Sequence, residues 1–297
     1  MSAVIEEEIK FGIVSDLSNA DYHADKTSYS SSLIKLMSCP AKAKHYMDNG
    51  SEYKDVFRLG TAIHTLVLEP EKFDSEFLIG IDCARRSKDD KTQWAAWYRE
   101  HGWTGAYDFV MNNPAASWNP AFIEATGKNL VTPAEIDELK AMAESVLVNA
   151  NARELLEKGE AEQSVYWQDE ETGLNLRCRP DFLNTAGFIS DLKSCDSASR
   201  PAVMSKIYNL GYHISDALYR DGVYHATGEW MPFLYIFIEK QAPYQCVVYS
   251  LDDASMELAH NQYRENLRTL ARCLERDEWP GYDDKLDLRL PAYAFTQ

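Results

Sequence analysis

CRPDFLNTAGFISDLKS, residues 178–194, is the stretch that decides the fold, because two short apolar runs flank an alanine–glycine turn signal. Apolar and polar residues alternate on either side of that turn, a period of two that predicts paired antiparallel strands. Asp191 and Lys193 stand two residues apart on the second strand, so their side chains project from the same face. Asp181 ends the first strand beside a proline, and we expect its carboxylate next to them.

This combination of two carboxylates with a lysine suits metal-dependent hydrolysis of a phosphodiester. Hard cations such as Mg²⁺ take carboxylate oxygens, and the carbonyl oxygen of Leu192, between Asp191 and Lys193, offers a further ligand. A lysine beside such an ion positions the attacking water and stabilises negative charge on the phosphate. The alternative is a cross-strand aspartate–lysine pair on a solvated face, which is the commoner explanation of a lone D-x-K. Even with Asp181 upstream, strand patterning alone does not decide between the two.

The length and composition indicate a folded chain with a large core. Its 297 residues are 45% hydrophobic, enough for one large domain or two small ones. The sequence has no run of about 18 apolar residues. Its acidic start, MSAVIEEEIK, lacks the layout of a signal peptide, so we expect a cytoplasmic protein. Six scattered cysteines without a C-x-x-C pair argue against a zinc ribbon, an iron–sulfur cluster and disulfides.

The charge of the chain is the main argument against nucleic-acid binding. The formal net charge is −17, from 47 acidic and 30 basic residues, whereas proteins that bind nucleic acids usually carry a basic footprint. A local groove can nevertheless be positive under an acidic exterior, and a divalent metal adds positive charge at the site itself. We therefore expect any DNA-binding surface to be local.

The first half of the chain is predicted to be mostly helical. Its clearest helix starts with a threonine cap, a proline and a glutamate that together form a capping box. Helices are expected over 28–47, 56–70, 85–102 and 132–159, with Pro40 marking a break or a second helical start in the first of them. A strand is expected over 77–81, a loop over 15–29, and an insertion or surface loop over 103–128.

The second half alternates strands with helices. Strands are expected over 163–168, 175–183, 187–193, 233–240 and 245–250, and helices over 198–208, 212–227 and 252–275. This order predicts an α/β (α+β) core in which a central mixed sheet is flanked by helices.

The pair Pro180-Asp181, followed by Asp191-Leu192-Lys193, resembles the signature of the PD-(D/E)xK nucleases. Further stretches, in the same order, are similar to the RecE-like (exonuclease VIII) nuclease domain, and the resemblance spans roughly residues 15–250. These stretches are LSNADYHADKTSYSSSLIKLMSCP (17–40), LGTAIHTLVLEP (59–70), AEQSVYW (161–167), RCRPDF (177–182) and GYHISDALYRDGV (211–223).

The resemblance implies a metal centre and a catalytic lysine. His64 matches a histidine that RecB-like and RecE-like nucleases use as a metal ligand. It would join Asp181, Asp191 and the Leu192 carbonyl, and an imidazole is compatible with Mg²⁺ or Mn²⁺ beside carboxylates. Lys193 would position the attacking water.

Three further positions are assigned by the same resemblance. Glu162, near the start of the first strand, is a candidate catalytic residue that either orients Lys193 or is simply exposed. Tyr219 matches the tyrosine of the Q-x-x-x-Y helix motif and implies a DNA contact. Ser215 stands where that motif has glutamine, so its hydroxyl reaches a phosphate less far and the match is incomplete there.

Candidate DNA contacts also follow from charge. Arg85, Arg86 and Lys88 belong to the most basic stretch of the chain, and Trp94 follows closely. Such a cluster grips phosphates or stacks on a base, or it is merely a solvated helix start.

A second group of candidate contacts lies near the predicted site. Arg177 or Arg179 can hold a terminal 5′-phosphate with two parallel hydrogen bonds. Ser31 and Ser32, at a predicted helix start, offer hydroxyl and N–H groups to the same anion, with helix capping as the alternative role.

The resemblance implies a metal-dependent 5′→3′ exodeoxyribonuclease that resects linear double-stranded DNA to 3′ single-stranded tails, with Mg²⁺ or Mn²⁺ as cofactor. It also implies a ring-shaped homo-oligomer and a RecT-type single-strand annealing partner, encoded by a phage or prophage and acting in the bacterial host cytoplasm. One nuclease domain is expected over 1–297, with a helical part over 28–159 and a sheet core over 160–275. The alternatives are a single-strand exonuclease or structure-specific endonuclease of the same superfamily, and a non-catalytic DNA-binding protein.

Overall fold

Helices make up much of the computed structural model, which describes residues 11–15, 17–50, 55–113 and 119–284. None of the helices in these ranges is both long enough and apolar enough to span a bilayer. Short 3-10 turns lie at Lys35–Ser38 and Pro70–Lys72. The α-helices are α1 (Asn19–Ala24), α2 (Ser31–Ile34), α3 (Pro40–Asn49), α4 (Asp55–Leu68), α5 (Phe73–Glu76), α6 (Lys88–Glu100), α7 (Ala106–Asn112), α8 (Asn119–Thr126), α9 (Pro133–Val148), α10 (Ala150–Glu157), α11 (Arg200–Asn209), α12 (Tyr212–Thr227) and α13 (Asp253–Arg276).

The strands of the described ranges are β1 (Gly12–Val14), β2 (Tyr29–Ser30), β3 (Phe77–Ile79), β4 (Asn129–Val131), β5 (Gly159–Ala161), β6 (Ser164–Gln168), β7 (Asn175–Cys178), β8 (Phe182–Asn184), β9 (Phe188–Cys195), β10 (Phe233–Glu239) and β11 (Cys246–Tyr249). A four-stranded sheet has the order β1-β6-β7-β2, and a five-stranded sheet has the order β11-β10-β9-β8-β5. β3 pairs with β4.

The five-stranded sheet is mixed, which confirms the predicted fold class. β9 runs parallel to β10, with Asp191 opposite Tyr235 and Lys193 opposite Phe237, and antiparallel to β8. A parallel pair requires a crossover connection, which α11 and α12 provide. The fold is therefore an α/β arrangement in which helices flank a central mixed sheet.

Two hydrophobic clusters cover the opposite faces of this sheet. One cluster combines residues of α12 and α13 with Ile189 and Tyr235 of the sheet. The other combines residues of α4 and α9 with Leu192 and Ile236. Successive side chains of a strand alternate between faces, so β9 lies between the two cores and contributes to both.

Residues 103–128 are not a surface loop, one of the two alternatives that the missing sequence period predicted. Their described part contains α7 and α8, where Trp103, Val110 and Phe122 are buried in a lobe shared with α6. Trp94 belongs to the same cluster and is 0% exposed, so it cannot stack on a nucleic-acid base. Short helices built around large aromatic rings need few apolar positions each, so they leave no regular period in the sequence.

The strand predicted over 175–183 is in fact two strands in different sheets. β7 ends at Cys178 and pairs with β6, whereas β8 starts at Phe182 and pairs with β9. Pro180 has a fixed φ and lacks the N–H that a strand ladder needs. The chain therefore leaves one sheet there and enters the other. The break places Asp181 at the transition between the sheets.

The boundaries of several N-terminal predictions also change. The helix predicted over 132–159 keeps its capping box but divides at Asn149, whose side chain caps α10 and donates to the Cys246 carbonyl at the edge strand β11. The helix predicted over 28–47 divides into α2, a 3-10 turn and α3, and α3 starts at Pro40, the residue at which the sequence indicated a second helical start. The predicted loop 15–29 contains the short helix α1. The division at Asn149 is accompanied by a tertiary hydrogen bond, which no local pattern records, whereas the start of α3 coincides with the local signal of Pro40.

A buried ion pair ties the β6–β7 turn to α13 and gives a test of the fold. Arg264 Nη1 lies 2.5 Å from Oδ1 of Asp169, which is only 3% exposed. Replacing Arg264 with Met leaves that buried carboxylate without its cation, so we expect the free energy of unfolding to fall by about 3 kcal/mol. Urea unfolding at neutral pH measures the loss, and Arg272→Met, which breaks only an exposed pair, is expected to cost less than about 1 kcal/mol.

The same ion pair predicts a pH dependence. Burial alone would raise the pKa of Asp169, but hydrogen bonds from Arg264 and Thr172 hold it below the ordinary value of 3.8. A depressed pKa gives a stabilisation that is complete above 3.8 and is lost as the pH falls through the lower folded value. An Arg264→Met loss that is equally large at acid and neutral pH would contradict this assignment.

Candidate active site

The site is built around a peptide unit of β9 that does not pair with a neighbouring strand of the described chain. β8 is three residues long and pairs with β9 only as far as Ser190, so the next peptide facing that side, at Leu192, has no neighbouring strand there in the described chain. The Leu192 N–H donates instead to Oδ2 of Asp181, at 2.7 Å. The broken strand thus brings a carboxylate to the place where the ladder ends.

Four charged or ionisable side chains meet at this place. Lys193 Nζ lies 2.7 Å from Asp191 Oδ2 and 3.6 Å from Asp181 Oδ2. His64 Nδ1 lies 3.5 Å from the same Asp181 oxygen. The neighbouring Ile63 is 1% exposed in the α4–sheet core, which leaves the imidazole at the edge of the buried face. Residues far apart in the sequence are therefore adjacent here.

Glu162 completes the cluster through an unusual backbone conformation. Its φ is +53°, in the left-handed region that costs a residue with a side chain roughly 1 kcal/mol or more. The Glu162 N–H donates to the Asp181 carbonyl at 3.1 Å, which holds the chain in that conformation. Ligand atoms of His64, Glu162 and Asp181 all lie within 4.8 Å of one another. The sequence left the orientation of Glu162 open, and the structure directs it into the cluster.

The electrostatics of the cluster show crowded negative charge. Burial, reinforced by Asp181, raises the pKa of Asp191 to about 7 and that of Glu162 to about 8. Burial alone would also raise the pKa of Asp181, but Lys193, His64 and the Leu192 N–H hold it below its usual value. Burial lowers the pKa of His64, so its imidazole is neutral near pH 7 and has a free lone pair.

This set of donors fits a divalent cation. Glu162, Asp181 and Asp191 carry three negative charges when ionised and Lys193 carries one positive charge, which leaves a net charge of −2. Carboxylate oxygens are the ligands that hard cations such as Mg²⁺ prefer, and a neutral imidazole suits Mn²⁺ as well. Mutual repulsion among the carboxylates is relieved by such an ion, so the cluster has both the ligands and the charge for one.

A cavity of about 820 Å³ opens over the cluster, with His64, Glu162 and Lys193 in its walls. Tyr212, which the sequence did not single out, also lines it, and the ring centroid lies 5.8 Å from Lys193 Nζ. The signal for Tyr212 was its place directly after Gly211, whose φ of +65° starts α12 and turns the tyrosine toward β9.

A second cavity of about 820 Å³ adjoins the first, and Glu162 and Arg179 line both. Buried Ser28 adds a hydroxyl oxygen that has no hydrogen-bond partner in the described chain. Other predicted DNA contacts in its walls are Ser31, Ser32, Arg177 and Tyr219. The second cavity therefore gathers both of the serine hydroxyl groups that the sequence placed near a terminal phosphate.

Arg177 and Arg179 are buried and already bonded to protein groups. Arg177 Nη1 lies 2.6 Å from Asp25 Oδ2, and Arg179 donates to Ser164 Oγ at 2.9 Å from Nε and 2.6 Å from Nη2. Both guanidinium groups also lie over the ring of Tyr22. A bidentate phosphate contact requires some of these bonds to be replaced, so the geometry favours arginines that shape the wall of the second cavity.

The remaining predicted DNA contacts lie outside the two cavities. Arg85 lies over the Trp94 ring, with the guanidinium carbon 4.2 Å from the centroid, and belongs to the aromatic lobe. Arg86 and Lys88 are exposed at the start of α6, and half-buried Ser215 lies on α12. None of these four predicted contacts lines either cavity of the described structure. The structure therefore does not bring them to the acidic cluster.

Together, a mixed sheet and an edge site with two aspartates and a lysine define a PD-(D/E)xK nuclease-like fold. The chain belongs to the family described as a PDDEXK-like domain of unknown function (DUF3799), which matches residues 29–289. No curated protein matches the sequence. Seven solved chains match the structure.

One of these is a candidate exonuclease from Eubacterium rectale. Its sequence is 15% identical, the TM-score is 0.59, and the match covers 94% of this chain and 98% of that chain. At this level of identity the likeness shows a shared fold.

The cluster predicts a measurable metal affinity. Replacing Asp181 with Asn removes a charge that faces His64, Glu162 and the Leu192 peptide, so we expect Mn²⁺ to bind at least about tenfold more weakly. Isothermal titration of the purified protein with Mn²⁺ and Mg²⁺ measures this, and Asp137→Asn on the exposed face of α9 is the matched control. Equal affinities of wild type and Asp181→Asn for both ions would rule out the cluster as the metal site.

Proposed function

We propose that the protein is a metal-dependent deoxyribonuclease that hydrolyses phosphodiester bonds at the cluster on β9. The observation that carries the proposal is the convergence of His64, Glu162, Asp181, Asp191 and Lys193 beside an open peptide edge, inside a cleft. A solvated aspartate–lysine pair, the simpler explanation, needs neither the buried carboxylates nor the histidine. The Asp191 side chain is only 8% exposed.

In this proposal His64, Glu162, Asp181, Asp191 and the Leu192 carbonyl hold one or two Mg²⁺ or Mn²⁺ ions. A bound ion supplies Lewis acidity and neutralises charge on the phosphate. The fixed position of the lysine matters equally, because preorganised charge costs no rearrangement during the reaction.

The residues of the chain have distinct tasks. The Lys193 ammonium, fixed by Asp191 at 2.7 Å, orients the attacking water by donating to its oxygen and offers a positive charge to the phosphate. Asp191 and Asp181 keep that ammonium protonated, since their charges raise its pKa against the effect of burial. Lys193 therefore acts as a positioned cation, and proton acceptance falls to another group.

We further propose that the reaction is 5′→3′ resection of linear duplex DNA to 3′ single-stranded tails. Two adjoining cavities that share Glu162 support this, because one can take the scissile phosphate while the other, with Ser28 and Ser31, takes the 5′-terminal phosphate. The resemblance to RecE-like nucleases supports the same polarity. It also supports the rest of the proposal: recombination by strand annealing, a ring-shaped homo-oligomer, a RecT-type partner, and a phage or prophage source in a bacterial cytoplasm.

Loss of the central lysine tests the enzymatic proposal. Lys193→Met removes the charge but keeps most of the side-chain volume, so we expect cleavage of linear duplex DNA to fall by at least about a thousandfold while DNA binding persists. Release of acid-soluble nucleotides measures cleavage, and electrophoretic mobility shift measures binding. Lys240→Met, at an exposed ion pair with Asp196, is the matched control. Full activity of Lys193→Met would exclude this cluster as the catalytic site.

The need for a DNA end tests the proposed polarity. We expect degradation of a linear duplex labelled at one 5′ end, faster with a 5′-phosphate than with a 5′-hydroxyl, and no degradation of closed circular duplex or covalently closed ends. Denaturing gels with separate 5′ and 3′ labels measure the polarity. Cleavage of closed circles would indicate the endonuclease alternative, and a preference for single strands would indicate the single-strand exonuclease. Binding of DNA without any cleavage would indicate the non-catalytic alternative.

A further inference from the structure

Lys35 lies next to the candidate active site although neither the signature nor the resemblance assigns it a role. It starts the 3-10 turn Lys35–Ser38 that follows α2. Its Nζ lies 5.7 Å from the centroid of the Tyr212 ring, the same ring that Lys193 approaches at 5.8 Å. Two lysine ammonium groups from distant parts of the chain thus lie over one tyrosine at the cavity wall.

The stem of Lys35 is held in place by the corner between α11 and α12. Gly211, at φ +65°, has no side chain, and a Cβ placed there would lie 3.0 Å from both Cγ and Cδ of Lys35. The glycine therefore leaves the space that the aliphatic stem occupies. Such close packing fixes the stem, and the ammonium end lies over the Tyr212 ring, next to the residues that line the first cavity but not among them.

Apart from the Tyr212 ring, the charge of Lys35 has no partner in the described chain. It makes no hydrogen bond or ion pair there, whereas Lys193, Arg177 and Arg58 each pair with a carboxylate. Burial lowers the pKa of Lys35 to about 8, an effect strengthened by Lys193 and opposed by Asp191. Partial burial of an ammonium without a carboxylate to pair with is costly, and the nearby Asp191 offsets only part of that cost.

We propose that Lys35 is a second lysine of the active site and contacts a non-bridging oxygen of a phosphate in the strand being cut. This inference rests on the proposed nuclease function and extends it to substrate binding. Lys193 is engaged by two carboxylates and serves the attacking water, so its charge is largely compensated before DNA arrives. Lys35 supplies the uncompensated positive charge that an otherwise acidic site needs in order to hold a polyanion.

A purely structural role for Lys35 makes a different prediction. If the residue serves only to pack its stem on Gly211 and Tyr212, methionine replaces it without effect on DNA, because the stem volume is kept. A phosphate contact, in contrast, releases a condensed counterion when it forms, so its loss changes the salt dependence of binding.

The experiment compares wild type with Lys35→Met, Lys35→Gln and Lys35→Arg on a short 5′-phosphorylated duplex at several salt concentrations. Lys140→Met, on the exposed face of α9, is the matched control. We expect Lys35→Met and Lys35→Gln to lower kcat/KM by about tenfold, the value of one charge-assisted hydrogen bond, and Lys35→Arg to retain most of the activity. The slope of log K against log salt should decrease by about 0.7 to 0.9 for the two neutral variants only.

The outcomes separate this proposal from the nuclease proposal. If wild type cleaves DNA and a folded neutral variant keeps the wild-type salt slope, the Lys35 contact is wrong and the nuclease proposal stands. A fall in kcat with an unchanged slope likewise rejects the phosphate contact, since it shows an effect on positioning alone. If wild type neither binds nor cleaves DNA, both proposals fail. Thermal unfolding of each variant shows which ones are folded.

Discussion

The hydrogen bond from the Leu192 N–H to the Asp181 carboxylate is the interaction on which the site depends. Because β8 begins only at Phe182, opposite Ser190, a polar backbone group in the middle of the sheet would otherwise remain unsatisfied. The carboxylate satisfies it, and the same carboxylate contacts His64 and Lys193. The end of the strand pairing and the position of the candidate site thus have the same cause. Pro180 separates β7, which ends at Cys178, from β8, which begins at Phe182.

Around that hydrogen bond, charge is balanced locally rather than over the whole surface. The net charge of −17 gave the strongest argument against DNA binding, and the cluster itself is acidic. Of the arginines next to it, Arg177 pairs with Asp25, whereas Arg179 is held by uncharged oxygens such as Ser164 Oγ. Affinity for a polyanion would therefore come from ions that the carboxylates collect and from cations without a carboxylate partner in the described chain, such as Lys35 and Arg179. This arrangement favours contact at one place on the chain over broad attraction along a duplex.

The sequence could predict those features that neighbouring residues determine, and it could not predict those that depend on residues far away in the chain. Strand alternation around residues 187–193, the D-x-K spacing and the capping box of α9 are local, and each appears in the structure where it was predicted. The buried arginines, the left-handed Glu162 and the division of 175–183 between two sheets depend on distant partners and strand lengths. The aromatic lobe around Trp94 escaped detection because its burial is created by short helices that pack on one another. Family resemblance supplied His64, which no spacing argument could have joined to β9.

The position of the acidic cluster between the two hydrophobic cores has a consequence for how the helices are held on the sheet. His64 belongs to a helix of one core, while Asp191 and Lys193 face the other, so the ligands of a cation in the cluster come from both sides. An ion held there would connect α4, in the N-terminal helical layer, to the sheet. Cation binding and the docking of that layer would then be coupled, so that a partly unfolded chain would lack the cation site.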